Sequence, residues 1–597
     1  MTRSMKKHLS LLVLFVVAYA NAQEKNVTNK AKDTIIKTEV VNVVTSYVPK
    51  ITDAFKIKQK PVIEHTKETQ KKALEYQIFS VPVASTFIPK SGTMKKVDLG
   101  KREKLYPNYV SVGFGNILSP FLEAYVRRSE SYNSELGAHL KFLLSSDPVA
   151  DTELSSTFYN IDLNINYTQQ ERYFQWSAGL DAEKDKYNWY GLPTNITFTE
   201  ATLSAIEEAQ SYNHIKIFGQ IKPDDSFLEE ANGAIAFFSD SFESAEFLVD
   251  GNAQFRFPLD NFHRQLNDLY VNTTINYLGG SYAYAYDAVT PIDYNFITLG
   301  VHPTYKFNVQ DLAIQLGAKS YFSMDTENSE NNFFIYPDVE ISYPIVKELA
   351  NVFVGASGDL TTNMYQSFTD DNPYLSPTLD MRQTNKKFDA FGGIRGKLNH
   401  QFSYNAKVSY ADIENNPFFV LNQSKSEGDN IAGTNGFTFY GYEYGNSFKV
   451  VYDDIKLMTF FGEVAFDGIK NLTIGANAQF NKFTLTNEEE AWNTPKIKGE
   501  VFGTYKTNKW FAGANLYFVG NRKGRIYDTL PAETFTSVDL KSYFDVNFNG
   551  GYHFDDSFSV FLNLNNVLNN SYQRFNNFNV QGFQAMGGLT WKFDTLF

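Results

Sequence analysis

Eight histidines are the natural place to look for chemistry: His8, His65, His139, His214, His263, His302, His400 and His553. No two stand at metal-ligand spacing, and the chain has no cysteine, so neither a zinc site nor a disulfide framework is expected. His302 and His553 fall in or near strand-like stretches, where a serine on a neighbouring strand would make a hydrolytic pair, but nothing nearby marks a nucleophile. "VGFGN" (112–116) holds only a glycine pair and reads as a strand, not a phosphate loop. The runs Glu488-Glu489-Glu490 and Asp370-Asp371-Asn372 could hold Ca²⁺ on outer loops, though solvated loop charge is the favoured account. No catalytic residue, metal or cofactor is expected. What remains are polar-loop aromatics: Trp189, Tyr190, Tyr440, Tyr442 and Tyr444. They could stack on a sugar or another flat ligand, or form an interfacial girdle, and girdle is the favoured reading.

These residues must be positioned by strands, because from Tyr106 onward the sequence alternates. In "YNIDLNINY" (159–167) Tyr159, Ile161, Leu163, Ile165 and Tyr167 share one face, and Asn160, Asp162, Asn164 and Asn166 the other. "LYVNTTINY" (269–277), "NLTIGANAQF" (471–480), "WFAGANLYF" (510–518) and "VDLKSYFDVNF" (538–548) repeat the pattern. The polar face is rich in Asn, Gln, Thr and Ser, as a wet barrel interior would be. Connections differ in length. "FDGIKN" (466–471), "YKTNKW" (505–510) and "HFDDSF" (553–558) are tight; 187–213, 361–387, 422–447 and 520–537 are long and polar. Short turns at one end and long loops at the other are the asymmetry of an outer-membrane barrel. Between 400 and 460 the strand parity stays open. "EATLSAIEEAQ" (200–210) reads as a short loop helix, with Ser204 and Glu207 in capping-box spacing.

The ends of the chain agree with export. Residues 1–22 have a basic start (Arg3, Lys6, Lys7), an apolar core and Ala20-Asn21-Ala22, the features of a cleaved signal peptide. Residues 23–104 carry 17 Lys/Arg against nine Asp/Glu and too little apolar content for a core, whereas 105–597 carries a net charge of −24. The last strand, "GFQAMGGLTWKF" (582–593), puts Leu589, Trp591 and Phe593 on its apolar face and Gly588 and Lys592 on the other. Its outward face would meet lipid, with Trp591 and Phe593 at the lower aromatic girdle.

Residues 558–593 resemble the C-terminal hairpin of TonB-dependent receptors: Asn565-Asn566-Val567-Leu568-Asn569, then Tyr572, a loop and a final strand closing on Phe593. The segment 492–524, with Thr494-Pro495-Lys496 entering a strand, is similar to the preceding part of that family. "NPYLSPTLDM" and "VSVGFGNILSPFLEAYV" (110–126) resemble a plug-poor, Bacteroidetes-type branch. The resemblance implies an all-β, antiparallel transmembrane barrel of about 22 strands, within a range of roughly 16 to 24. It implies that Gly588, Trp591 and Phe593 form the signal read by barrel-assembly machinery. Thr38, Glu39, Val40, Val41, Asn42 and Val43 resemble a box contacting TonB. The chain departs from the family in lacking the glycine-rich part of a plug, so 23–104 is read as a truncated periplasmic or lumenal segment. Part of 76–105, with inward-folded loops, is expected to occlude the bore. The expected function is passage of a solute across the outer membrane of a Gram-negative bacterium; the alternative is a scaffold for an envelope complex. Expected partners are outer-membrane lipid, assembly machinery and TonB or a surface lipoprotein, without nucleic acid.

Overall fold

The computed structural model describes residues 104–597, apart from 262–265, 288–289, 348, 430–438, 529–533 and 595–597. The expected signal peptide, nearly all of the Lys-rich segment and the expected box at Thr38–Val43 lie outside the described residues.

The alternating stretches form one sheet of 22 antiparallel strands. Each strand pairs with its neighbour along the sheet, and the first, Asn108–Gly115, pairs with the last, Gln584–Phe593, from Asn108 opposite Phe593 to Gly115 opposite Met586. That pairing closes the sheet on itself and leaves no edge. At the seam the Asn108 amide donates to the carbonyls of Phe593 and Asp594, both at 3.2 Å.

Alternation decides which face meets what. Val112, Ile217, Val301 and Leu562 point out of the barrel and are 44–61% exposed, without any apolar partner layer outside them among the described residues. Their neighbours Glu123, Lys216, His302 and Asn563 belong to the inner face. In water such an apolar belt would be a liability; apolar outside and polar inside is the arrangement of a barrel spanning lipid.

The two ends differ. Asn108 and Phe593 define the turn end, where 310–311, 400–401 and 470–471 connect long strands in two residues each. Asn471 takes the left-handed conformation (φ 68°) that such tight hairpins demand. The opposite, loop end carries 189–208, 363–382, 422–447, 520–542 and 566–583. This fixes the parity left open between 400 and 460: the strand Phe402–Leu421 climbs to the long loop 422–447, and Phe448–Ile469 returns. At about 3.3 Å per residue both overshoot a hydrocarbon layer roughly 25 Å tall and stand above it.

Inside the bore, aromatic rings lie on glycines of the adjacent strand. Phe218 faces Gly179, Phe391 faces Gly355, Phe502 faces Gly475 and Phe561 faces Gly588, each pair directly opposed in register. A Cβ on Gly475 or on Gly588 would come within 2.2 Å of the facing ring, so only glycine fits there.

Candidate functional site

The inner wall is wet and charged. Lys319 Nζ lies 2.7 Å from Asp359 Oδ2, and the Tyr321 hydroxyl donates to the same carboxylate at 2.9 Å. His302 meets Asp338 at 2.9 Å, and His139 meets Glu123 at 3.1 Å. These two strand histidines are thus held by carboxylates on the bore wall, each in its own pair. Asn160 donates to Asp185 at 2.7 Å and Asn276 to Asp250 at 3.1 Å. Such a surface suits water and polar solutes rather than a packed core.

At the loop end the chemistry inverts. Trp189, Tyr365, Leu375, Leu379, Tyr444 and Phe448 are completely buried, and one apolar cluster joins them to wall residues from all round the ring: Leu143, Phe238, Tyr294 and Met586. Because those wall positions, with Leu421 and Val450, lie on the third, seventh, tenth, fifteenth, sixteenth and last strands of the barrel, the cluster spans the mouth. Ring contacts knit it. Tyr374 stacks on Phe578 at 4.0 Å, Tyr190 meets Phe578 edge-on at 5.0 Å, and Trp189 meets Tyr442 at 5.5 Å.

Polar groups tie the loops to each other. The Tyr190 hydroxyl donates to Asn579 O at 2.8 Å, and the Asn446 amide donates to Trp189 O at 2.8 Å. Burial raises the Tyr374 hydroxyl to about 12. Tyr440, nearer the surface, is raised to about 12 by its hydrogen bond with Tyr284 and then by burial.

Another crossing is made by 363–382. It leaves the strand Ala350–Thr362, forms the helix Tyr365–Asp371, and reaches the strands Leu228–Asp240 and Ala245–Phe257. There Glu246 accepts the backbone N–H groups of Tyr365 (2.7 Å) and Gln366 (3.3 Å), and Asp240 accepts the Tyr365 hydroxyl (2.9 Å). The segment then returns, with Ser376 N donating to Phe448 O and Phe448 N to Tyr374 O. Under the helix, Gln366, Thr369 and Asp370 share a small cavity with Glu183, Asp185 and His214 of the bore wall.

The loop aromatics singled out in the sequence are therefore placed differently from a girdle. Trp189, Tyr190, Tyr442 and Tyr444 form the interior of the cap, and only Tyr440 keeps part of its ring at the surface. In this closed arrangement the four buried rings have no free face for a ligand. Gly588, Trp591 and Phe593 lie on the last strand; Trp591 is half exposed and stacks on Phe593 at 4.7 Å, both on the outer face. The loop helix near 200 is real but shorter than expected, Glu200–Leu203, capped by Thr199 rather than Ser204. Glu488 is taken up by Arg525 and by Trp492 Nε1. Glu246 and Asp240 were not singled out in the sequence; acids at strand ends carry no signal that distinguishes them.

No protein-family model matches the chain, and no curated protein does. Solved structures do. The FrpB iron transporter from Neisseria meningitidis aligns at TM-score 0.61 and 10% identity over 82% of each chain. The pyoverdine outer-membrane receptor FpvA from Pseudomonas aeruginosa, bound to pyoverdine, aligns at 0.59 and 12% over 83% of this chain and 79% of that one. The ferric-catecholate import receptor Fiu from E. coli aligns at 0.58 and 10% over 82% of each. The chain thus has the fold of the large outer-membrane receptor barrels.

Proposed function

We propose that the protein lies in the outer membrane of a Gram-negative bacterium, turn end in the periplasm, and passes a solute through its bore. One observation carries this: among the described residues, a lipid-facing barrel has a bore wall rich in polar and charged side chains and a mouth covered by loops. A wall that merely held loops in place would have no need of a wet bore. The fold neighbours named as an iron transporter and a ferric-catecholate import receptor make ferric chelates the first solute class to test. Growth of a deletion strain on single iron sources, with binding of each chelate to purified barrel, tests it. A strain that grows normally on every source, with no chelate bound, argues against this cargo.

Energised uptake through TonB, by way of Thr38–Val43, is part of the proposal. It predicts that detergent-purified protein retains TonB and that replacing Val40 and Val41 with proline abolishes retention. The second reading, an envelope scaffold, draws support from the tightly packed cap, which makes a rigid outer surface. A surface lipoprotein that co-purifies stoichiometrically, with no solute flux, favours that reading.

A further inference from the structure

We propose that the outer face of the barrel carries a docking site for one anionic lipid. An acyl chain lies in a groove that runs across the strands from Phe402–Leu421 to Trp510–Val519, and the headgroup phosphate is held by Lys456 and Lys482. The inference rests on the barrel's standing in lipid, not on what the bore carries.

The groove is built into the sheet. Ala406, Gly462, Ala478 and Gly499 are opposed in register on consecutive strands, on the face that points outward. Phe518 opposes Gly499, packs on Phe544 at 4.9 Å and closes one end. Phe460, Phe480 and Ile497 form a ridge one step nearer the loop end, and all three are exposed. Four strands at about 4.8 Å each give a floor roughly 20 Å long. The hollow above it encloses about 640 Å³ and its lining is apolar.

Packing within the sheet does not demand this hollow. A Cβ on Gly475, in the bore, would strike the Phe502 ring, whereas a Cβ on Gly462 would meet nothing within 4 Å. The space over Gly462 is open to the surrounding phase. In lipid, an apolar trench of this length takes a hydrocarbon chain, which regains the close contacts that a void forfeits.

Two cations stand over it. On these strands the apolar belt ends at Met458 and Phe480, and the next outward residues toward the loops are Lys456 and Lys482, both exposed. Lys482 opposes Met458, so the two lysines are diagonal neighbours, about 7–8 Å apart at the backbone and able to share one phosphate. Lys482 lies four residues beyond Ala478, about 13 Å along the strand, which leaves the first methylenes to cross the Phe480 ridge before the chain sinks into the groove. The nearby carboxylates are engaged elsewhere. Asp412, which opposes Lys456, lies 3.9 Å from Lys387 Nζ; Glu414 lies 2.5 Å from the same ammonium; Asp454 accepts the Asn415 N–H at 3.0 Å. Among the described residues neither Lys456 nor Lys482 forms an ion pair. Lysines at such a boundary bury their stems and extend the ammonium to the headgroups, where a phosphate gives charge-assisted hydrogen bonds. A second copy of the chain seated on the groove would bring no anion to them from its own apolar belt.

The full chain is mixed with vesicles of phosphatidylcholine alone or with phosphatidylglycerol added, floated, and extracted in mild detergent. Native mass spectrometry then counts the lipid retained. Wild type should retain one phosphatidylglycerol roughly tenfold more tightly than phosphatidylcholine, and the preference should fall as salt is raised. Lys456→Gln/Lys482→Gln should abolish the preference and keep weak retention of both lipids. Gly462→Leu fills the hollow from below and should weaken retention of both lipids alike. Heat-modifiable gel mobility identifies the folded barrels that are compared. Equal retention of the two lipids by wild type, an unchanged preference in the double variant, or wild-type retention in Gly462→Leu overturns the proposal. A chain that floats with neither vesicle overturns the membrane reading beneath it.

Discussion

The Glu246 carboxylate accepts the backbone N–H of Tyr365 at 2.7 Å across 119 residues of sequence. It thereby joins a barrel strand to the first turn of a helix that has no side-chain cap of its own. A carboxylate placed there satisfies backbone donors that would otherwise lack partners and meets the positive end of the helix. Closure of the mouth depends on contacts of this kind, each between parts of the chain far apart in sequence.

Replacing Trp189 with alanine should loosen the cap without harming the barrel. The ring is fully buried between Phe242 and Tyr442, and its loss leaves a cavity worth about 3–5 kcal/mol. Protease should then cut within 189–208 or 422–447. The heat-modifiable gel mobility of the barrel should be unchanged.

Gly475 and Phe502 should behave as a unit. Gly475→Ala drives a methyl group into the Phe502 ring and should cost about 1–3 kcal/mol. In Gly475→Ala/Phe502→Ala the obstructing ring is gone, so the combined cost should fall short of the sum by about 0.5–3 kcal/mol. Denaturant unfolding in detergent measures all three variants; strict additivity would remove the joint as a structural unit.

Alkali should open the mouth. Tyr374 and Tyr440 are held at about 12, above the usual value of 10, so the folded cap favours their neutral form. That contribution is complete below pH 10 and is lost as pH climbs from 10 through 12. Tyrosinate absorbance should lag behind that of free tyrosine, and conductance should rise over the same interval. Titration of every tyrosine near 10 with the mouth still shut would contradict this.

Trp591→Ala and Phe593→Ala should each lower the yield of assembled barrel in the outer membrane, the pair more than either alone. Both rings lie on the outer face of the closing strand. Immunoblots of unheated membranes, separating folded from unfolded forms, give the yield.

The barrel was legible because its signal is local. Ile161, Leu163 and Ile165 against Asp162, Asn164 and Asn166 declare a two-faced strand without reference to anything distant, and the tight turns at 470–471 and 507–509 give its direction. Parity stayed open near 400–460, where a register shift between Ile413 and Asn416 interrupts the alternation. The cap was not legible. A tyrosine bound for an interfacial girdle and one bound for a loop core look alike in sequence. Tyr190 and Tyr374 are 184 residues apart, and only the fold shows that they meet. The helix Tyr365–Asp371 was hidden for a related reason: seven residues of mixed polarity are too few for a helical period to stand out.

The cluster that shuts the mouth takes Leu143 and Phe158 from early in the chain and Phe578 and Met586 from its last residues. It cannot be completed until the final hairpin has been laid beside the first strand. During biogenesis the lid is therefore finished last, and a half-built cylinder is left uncorked. Resistance of 363–382 to an externally added protease would then serve as a timestamp for the end of insertion, separating mature molecules from those still being threaded into the bilayer.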